Sequence, residues 1–178
     1  LAVMAEHGLE GSAIGVAWDG AGQGADGSLW GGECLRVNAG GYQRLAHLRP
    51  FRLPGGEAAL REPRRAALGL LIAAFGDQGA ARWPAFHAEE LMVLQRAMAC
   101  QLNSPLCSSV GRLFDGVAAL LDLPHRCSYE GQAAMALEAL ALEAPASTPA
   151  YPLPLRRPPG PEPWQLDWQP LLEELLQD

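Results

Sequence analysis

Short apolar runs broken by glycine occupy the first third of the chain, and longer helical patterns fill most of the rest. Residues 12–18 carry Ala13, Ile14, Val16 and Ala17 in a nearly continuous apolar run, which predicts a buried strand, with Gly15 allowing a close neighbour. A glycine-rich loop is expected from Asp19 to Gly27. Ser28 to Val37 reads as a second strand interrupted at Gly31-Gly32, Gly40-Gly41 as a turn, and Tyr42 to Phe51 as a third strand. Together they predict a β-meander. Pro54-Gly55-Gly56 breaks the chain, and Pro63 suits the first position of a helix reaching about Phe75. Apolar residues cover most of that helix's circumference, so it is expected to be largely buried. Further helices are predicted over about Ala88–Gln101, Ser108–Leu121 and Glu130–Leu142, then a short strand near Gln165–Trp168 and a final helix. The stretch 143–163 is read as a proline-rich irregular loop, with eight of the chain's 15 prolines between Pro145 and Pro163. Strands followed by helices give a mixed α+β fold.

The chain's ends read as interrupted elements. Leu1 to His7 has the look of a helix's last turns stopped by Gly8, and Leu171 to Leu176 is amphipathic with no stop signal. Sequence is therefore expected on both sides.

The 178 residues suffice for one domain or a large part of one, and the 49% hydrophobic content supplies core material. A net charge of -7 argues against non-specific binding to nucleic acid or to an anionic membrane. All 13 basic residues are Arg, which excludes a Walker-type phosphate lysine and a Schiff-base lysine. Cys34, Cys100, Cys107 and Cys127 form no C-x-x-C pair, so neither a zinc finger nor a disulfide framework is indicated. His7, His47, His87 and His125 show no metal-ligand spacing. With no membrane-spanning apolar run and no signal peptide, a soluble protein of the reducing cytoplasm is expected.

Three segments carry candidate chemistry. In Asp19-Gly-Ala-Gly-Gln-Gly-Ala-Asp-Gly27, glycines let backbone N–H groups converge on an anion, and the carboxylate can hold a divalent metal that bridges to phosphate. A flexible hairpin loop whose aspartates satisfy local turns explains the same residues. In Ser108-Ser-Val-Gly-Arg-Leu-Phe-Asp115, helical spacing puts Ser108, Gly111, Arg112 and Asp115 on one face, where a glycine among polar groups admits a ligand against the backbone. The plainer account is a serine N-cap plus an Arg112–Asp115 pair. A nucleophile-elbow serine is excluded, because position 107 is Cys instead of Gly. In Tyr129-Glu-Gly-Gln132, Glu130 can accept from ribose hydroxyls or simply complement a helix dipole. If a ligand binds, Asp19 and the polar stripe of the Ser108 helix should look into one cavity.

As an ordered set, several stretches resemble the carboxy-terminal domain of the HypF carbamoyltransferases. They are Gly15-Val-Ala-Trp-Asp-Gly20, Leu29-Trp-Gly-Gly-Glu33, Ala46-His-Leu-Arg-Pro-Phe-Arg-Leu-Pro-Gly-Gly56, Arg61-Glu-Pro-Arg-Arg65, Ser108–Asp115 and Ser128-Tyr-Glu-Gly-Gln-Ala-Ala-Met135. The resemblance implies part of a Kae1-like domain of the actin/Hsp70 ATPase type. It implies an ATP-dependent carbamoyltransferase of [NiFe]-hydrogenase maturation. Carbamoyl-adenylate, made from carbamoyl phosphate and ATP, would give its carbamoyl group to the carboxy-terminal cysteine of a HypE-type partner, toward the cyanide ligand. By the same resemblance, Asp19 is the catalytic, metal-binding aspartate for a divalent zinc or iron, whose other ligands lie outside this chain. Gly20, Gly22 and Gly24 match the loop near the acyl-phosphate, and Gly111, Asp115, Glu130 and Gly131 match nucleotide contacts. Only the Kae1-like part of the family is matched, so this chain alone is expected to be inactive. A related threonylcarbamoyl- or O-carbamoyltransferase, or a non-catalytic nucleotide-binding scaffold, stands as the alternative; the Ala46–Arg65 stretch weighs against the first.

Overall fold

The computed structural model describes residues 1–81, 83–145 and 147–177. A short helix α1 (Ala2–Glu6) precedes three antiparallel strands, β1 (Ala13–Gln23), β2 (Leu29–Asn38) and β3 (Gly41–Leu48). This is the predicted meander, with its second turn at the expected glycines. Pro50 lacks a donor for the ladder, and the strand resumes only as β4 (Phe51–Arg52). Next come α2 (Ala58–Arg61), α3 (Pro63–Ala81), α4 (Ala88–Ala99), β5 (Leu106–Cys107), α5 (Val110–Leu120) and α6 (Gln132–Leu142). The chain ends in β6 (Leu155–Arg156), β7 (Trp164–Leu166) and α7 (Gln169–Leu175). The sheet order is β4-β5-β2-β3-β7-β6, with β1 on β2. Two pairings, β2–β5 and β3–β7, are parallel.

The main core lies between this sheet and α3 and α5. Leu48, Phe51, Leu53, Leu70, Val110, Leu113, Trp168 and Leu172 are buried together. The edge of Phe51 meets Trp168 with ring centres 6.0 Å apart. As expected, α3 is largely buried, from Pro63 through Leu71. It continues past Phe75 to Ala81 through a kink at Gly76, whose φ of 68° breaks the helical geometry. Gly116 of α5 takes α3 at close range: a Cβ there would overlap Leu70 and lie 3.2 Å from the Ala67 nitrogen.

Five expectations change. Residues 13–18 are not a buried strand: β1 is an edge strand, and Ile14, Val16 and Trp18 are each at least 60% exposed. The small residues Ala13 and Gly15 face inward instead, and Gly15 has only ordinary contacts, 3.9 Å or more from its neighbours. The expected loop from Asp19 is half strand, because β1 runs on to Gln23 across a register shift between Trp18 and Gly22. Glycines at 20 and 22 permit that irregularity, which lifts Asp19 to Ala21 out of the ladder. Gly31-Gly32 does not interrupt β2 but lets α5 approach it. Helix α6 begins at Gln132, not Glu130, because Gly131 stands at its N-cap with a φ of 77°. Within 143–163 the structure adds β6, which pairs antiparallel with β7; Ala146 lies outside the described residues. No helix among the described residues is long and apolar enough to cross a membrane.

Candidate functional site: a cleft beside the first turn of α5

The site begins with the cap of α5. Ser109 is its N-cap, and its Oγ accepts from the Arg112 N–H at 3.1 Å. The same hydroxyl lies 2.7 Å from the carbonyl oxygens of both Asp19 and Gly20 and donates its proton between them. One serine thus ties the irregular part of β1 to the start of a buried helix. Backbone then meets backbone, since a Cβ on Gly111 would fall 2.7 Å from Gly20 Cα. The same closeness explains Gly31 and Gly32. Side chains there would meet Asp19 O at 2.5 Å and overlap the Ser108 carbonyl, respectively.

A buried carboxylate fixes this junction from below. Glu33 is 2% exposed. Its Oε2 accepts from the N–H groups of Gly31 and Gly32 at 2.6 and 2.8 Å. Its Oε1 accepts from Arg44 at 2.8 Å and from the Ser108 hydroxyl. Arg44 also stacks over Trp30, 4.1 Å from the ring centre, and reaches Asp26 at 3.3 Å. Burial alone would raise the Asp26 carboxyl, but hydrogen bonds from Ser28 and Trp30 and the charge of Arg44 outweigh it and hold the group below its ordinary value.

Above the junction lies a cleft of about 300 Å³, walled by Leu60 and Arg61 of α2, Arg112 of α5, and residues 127–130. Gly20 adjoins it: the position of its missing Cβ is 3.5 Å from Arg112 Nη2 and 3.6 Å from Glu130 Oε1. Behind Arg112 sits Asp115, with Nη1 and Oδ2 2.7 Å apart and both side chains 5% exposed. Burial pushes the Asp115 carboxyl up to about 6, against the opposing pull of Arg112. Gln132 of α6 reaches back to accept from the Ser128 N–H at 2.8 Å and so orders the cleft's far wall.

The structure therefore brings Gly20, Gly111, Asp115 and Glu130 around one junction, with Gly131 capping the adjacent helix. Gly22 and Gly24 lie elsewhere, packed against Trp30, where a Cβ on Gly24 would overlap the indole. The expected shared cavity takes a different form. Asp19 is exposed and its Oδ1 accepts from the Gly20 N–H at 2.6 Å, so Gly20 instead of the Asp19 carboxylate adjoins the cleft. The polar stripe also divides, with Ser108 facing Glu33 and Arg44 inside and Gly111 and Arg112 facing β1 and the cleft. No group of three or more His, Cys, Asp or Glu side chains converges among the described residues. Asp19 offers a single carboxylate, so these residues do not by themselves make a metal site. Sequence reasoning missed Glu33, Arg44, Arg61 and the tie through Ser109. A carboxylate following two glycines in a strand was the available signal for Glu33.

This combination of a mixed α+β fold, a curled sheet and a glycine-lined junction defines a Kae1-like domain. The sequence model described as "Carbamoyltransferase, Kae1-like Domain, second subdomain" matches residues 15–178. The chain belongs to the HypF carbamoyltransferase family. It is 42% identical over 192 residues to carbamoyltransferase HypF of Synechocystis sp., covering 98% of this chain and 25% of that protein. It is 49% identical over 141 residues to carbamoyltransferase HypF2 of Cupriavidus necator, covering 79% of this chain and 17% of the relative. Among solved structures, full-length HypF in a phosphate- and nucleotide-bound form superposes with a TM-score of 0.83 at 32% identity, over 98% of this chain and 23% of that one. HypF of T. kodakarensis gives 0.81 at 32% identity, with the same coverage. The chain thus spans about a quarter of the length of the relatives that it matches most fully.

Proposed function

We propose that the chain forms the nucleotide-facing part of an ATP-dependent carbamoyltransferase of [NiFe]-hydrogenase maturation. In the intact enzyme, carbamoyl-adenylate, made from carbamoyl phosphate and ATP, gives its carbamoyl group to the carboxy-terminal cysteine of a HypE-type partner. The observation that carries this reading is the junction at which Gly20, backed by Gly111, adjoins a cleft lined by Arg112 and Glu130, in a member of a carbamoyltransferase family.

The thiolate's electron pair forms a C–S bond to the carbamoyl carbon. The bond from that carbon to the phosphate oxygen breaks, and its electrons leave with AMP. A mixed anhydride has a good leaving group, so the domain's part is to orient it and keep it in place. Gly20 carries no side chain and lets the ligand approach backbone, and Gly111 lets α5 close on β1 and so holds Gly20 at the cleft. Glu130 accepts hydrogen bonds from ribose hydroxyls. Asp115 and Gly131 shape the nucleoside end, Gly131 by setting where α6 begins. Gly22 and Gly24 act at one remove, by seating β1 on Trp30. The acceptor thiol comes from the partner; Cys107 is unsuited, since burial raises its thiol to about 11. Asp19 offers one oxygen toward a divalent zinc or iron that would act as a Lewis acid, with the remaining ligands outside the described residues. This chain alone carries out no transfer.

Asp19→Ala in the full-length protein tests the reading. Asp19 is exposed, so stability should change by less than about 0.5 kcal/mol. Carbamoyl transfer should be abolished and bound metal reduced. A variant with full metal content and wild-type transfer would remove Asp19 from the site.

A further inference from the structure

Arg112 has the most deeply buried guanidinium among the described ion pairs, and it is the least satisfied. Its side chain is 5% exposed, against 14% for Arg44, 28% for Arg49, 12% for Arg64 and 14% for Arg65. Each of those four donates hydrogen bonds to side-chain acceptors: Arg44 to Glu33 and Ser108, Arg49 to Asp167 and Gln169, Arg64 to Glu62 and Glu90, and Arg65 to Glu62. Arg112 Nε and Nη1 have no hydrogen-bond partner, and neither has Asp115 Oδ2; of the other four arginines, Arg44 leaves one donor, Nε, in the same state. The Arg112 and Asp115 charges touch at 2.7 Å, but the donors are not aimed along the contact. Buried donors left in this state are rare and costly, and each calls for an explanation such as stored strain, a catalytic role, or a bound water or ion that completes it.

The cleft supplies the access. Arg112 is part of its wall, and Nη2 and Glu130 Oε1 lie 3.5 and 3.6 Å from one point, the missing Cβ of Gly20. A guanidinium donor, Nη2, on one side and a carboxylate acceptor on the other suit a ligand with an anion at one end and hydroxyls at the other. Guanidinium geometry matches a phosphate, and a carboxylate accepts from ribose hydroxyls. We infer that Arg112 binds the phosphate of a nucleoside monophosphate group in this cleft, with Glu130 on the sugar. The inference rests on the proposed nucleotide reading and adds the residue that neutralises the ligand's charge. Asp115 balances the Arg112 charge, and with ligand present the guanidinium serves both.

The experiment compares AMP with adenosine by isothermal titration of the full-length protein. Removing Arg112 alone strands a buried carboxylate, so the reference is Asp115→Asn and the test is Arg112→Gln in that background. A second nucleotide site elsewhere in the full-length protein is common to both variants and cancels. Loss of a charge-assisted contact should weaken AMP roughly 10- to 100-fold while adenosine changes less than about 3-fold. Inorganic phosphate should compete with AMP in the reference and not in the test variant. If AMP and adenosine weaken equally, Arg112 is structural and the inference is overturned. If AMP is unaffected, it is overturned as well. If the wild type binds neither, the nucleotide reading itself fails, an outcome distinct from a normal wild type with an unaltered AMP-to-adenosine ratio.

Discussion

Gly111→Ala and Gly116→Ala are the same chemical change on the same helix, and they should separate the site from the core. Gly116 lies mid-helix and gains about 1 kcal/mol of helix propensity; Gly111, at the second position of α5, gains less. Both also overpack, at about 1–3 kcal/mol. The net loss of stability is therefore about 0–2 kcal/mol at Gly116 and about 0–3 kcal/mol at Gly111. The obstacles differ. At Gly116 the new methyl overlaps the tip of Leu70, a side chain on α3, and backbone is less crowded, with the Ala67 nitrogen at 3.2 Å and the Ala66 carbonyl carbon at 3.3 Å. At Gly111 it meets Gly20 Cα at 2.7 Å and the Asp19 carbonyl at 3.2 Å, both backbone. Ordinary contact begins at 3.4 Å, so β1 must retreat by roughly 0.7 Å or α5 must tilt. Either movement stretches the Ser109 tie and displaces Gly20 from Arg112. A displacement near 1 Å at a reacting centre costs on the order of 100-fold in rate. In the full-length protein, Gly111→Ala should lower carbamoyl transfer by about 10- to 100-fold, and Gly116→Ala by less than about 3-fold, although their urea midpoints fall together. Wild-type transfer and nucleotide affinity in Gly111→Ala would refute the claim that the β1–α5 contact builds the site.

The parts of this architecture that were legible in the sequence are those governed by local chemistry. The hairpin at Gly40-Gly41 follows from a glycine pair between apolar runs, and the start of α5 follows from Ser109 before a helical pattern. The two-residue strands β4, β5 and β6 have no period to detect, and they exist only because the neighbours of Cys107 and Leu166 offer unpaired backbone. Strand β1 was misread because large apolar residues were assigned to the core. Here Ile14, Val16 and Trp18 form the outer face, and the small residues turn inward. Gly20, Gly111, Asp115 and Glu130 were recognisable from motif spacing. Arg112 was legible as a member of the same polar stripe, but its burial and that of Glu33 were not, because burial of a charge is a tertiary property. In sequence, Glu33 is one more carboxylate in a strand, and Arg112 is half of an i,i+3 pair of the kind that decorates exposed helices.

Two further perturbations test that tertiary electrostatics. Glu33→Gln removes the charge that faces Arg44 while keeping an oxygen for the Gly31 and Gly32 N–H groups. Arg44 retains Asp26 and Trp30, so destabilisation should be about 3 kcal/mol, at the low end for a broken buried pair; a urea midpoint equal to wild type would contradict the network. The second perturbation is pH. Burial raises the Asp115 carboxyl from 3.8 to about 6, so between those values the folded protein binds a proton that the unfolded chain does not. Stability then increases as pH falls through about 6, levels off below 3.8, and the full gain is about 3 kcal/mol. Other groups act the opposite way. Burial lowers His47, so acid costs stability there just below 6.5. Burial raises Asp26, Glu62 and Asp167, but their hydrogen bonds and arginine partners outweigh it, and these depressed carboxyls lose their contribution in stronger acid. Asp115→Asn isolates the one group, because the opposing terms are common to both proteins. The wild-type-minus-variant difference in unfolding free energy should therefore rise by about 2 kcal/mol between pH 7 and pH 4.5. A difference that stays flat over that interval means that Arg112, and not burial, governs the Asp115 proton.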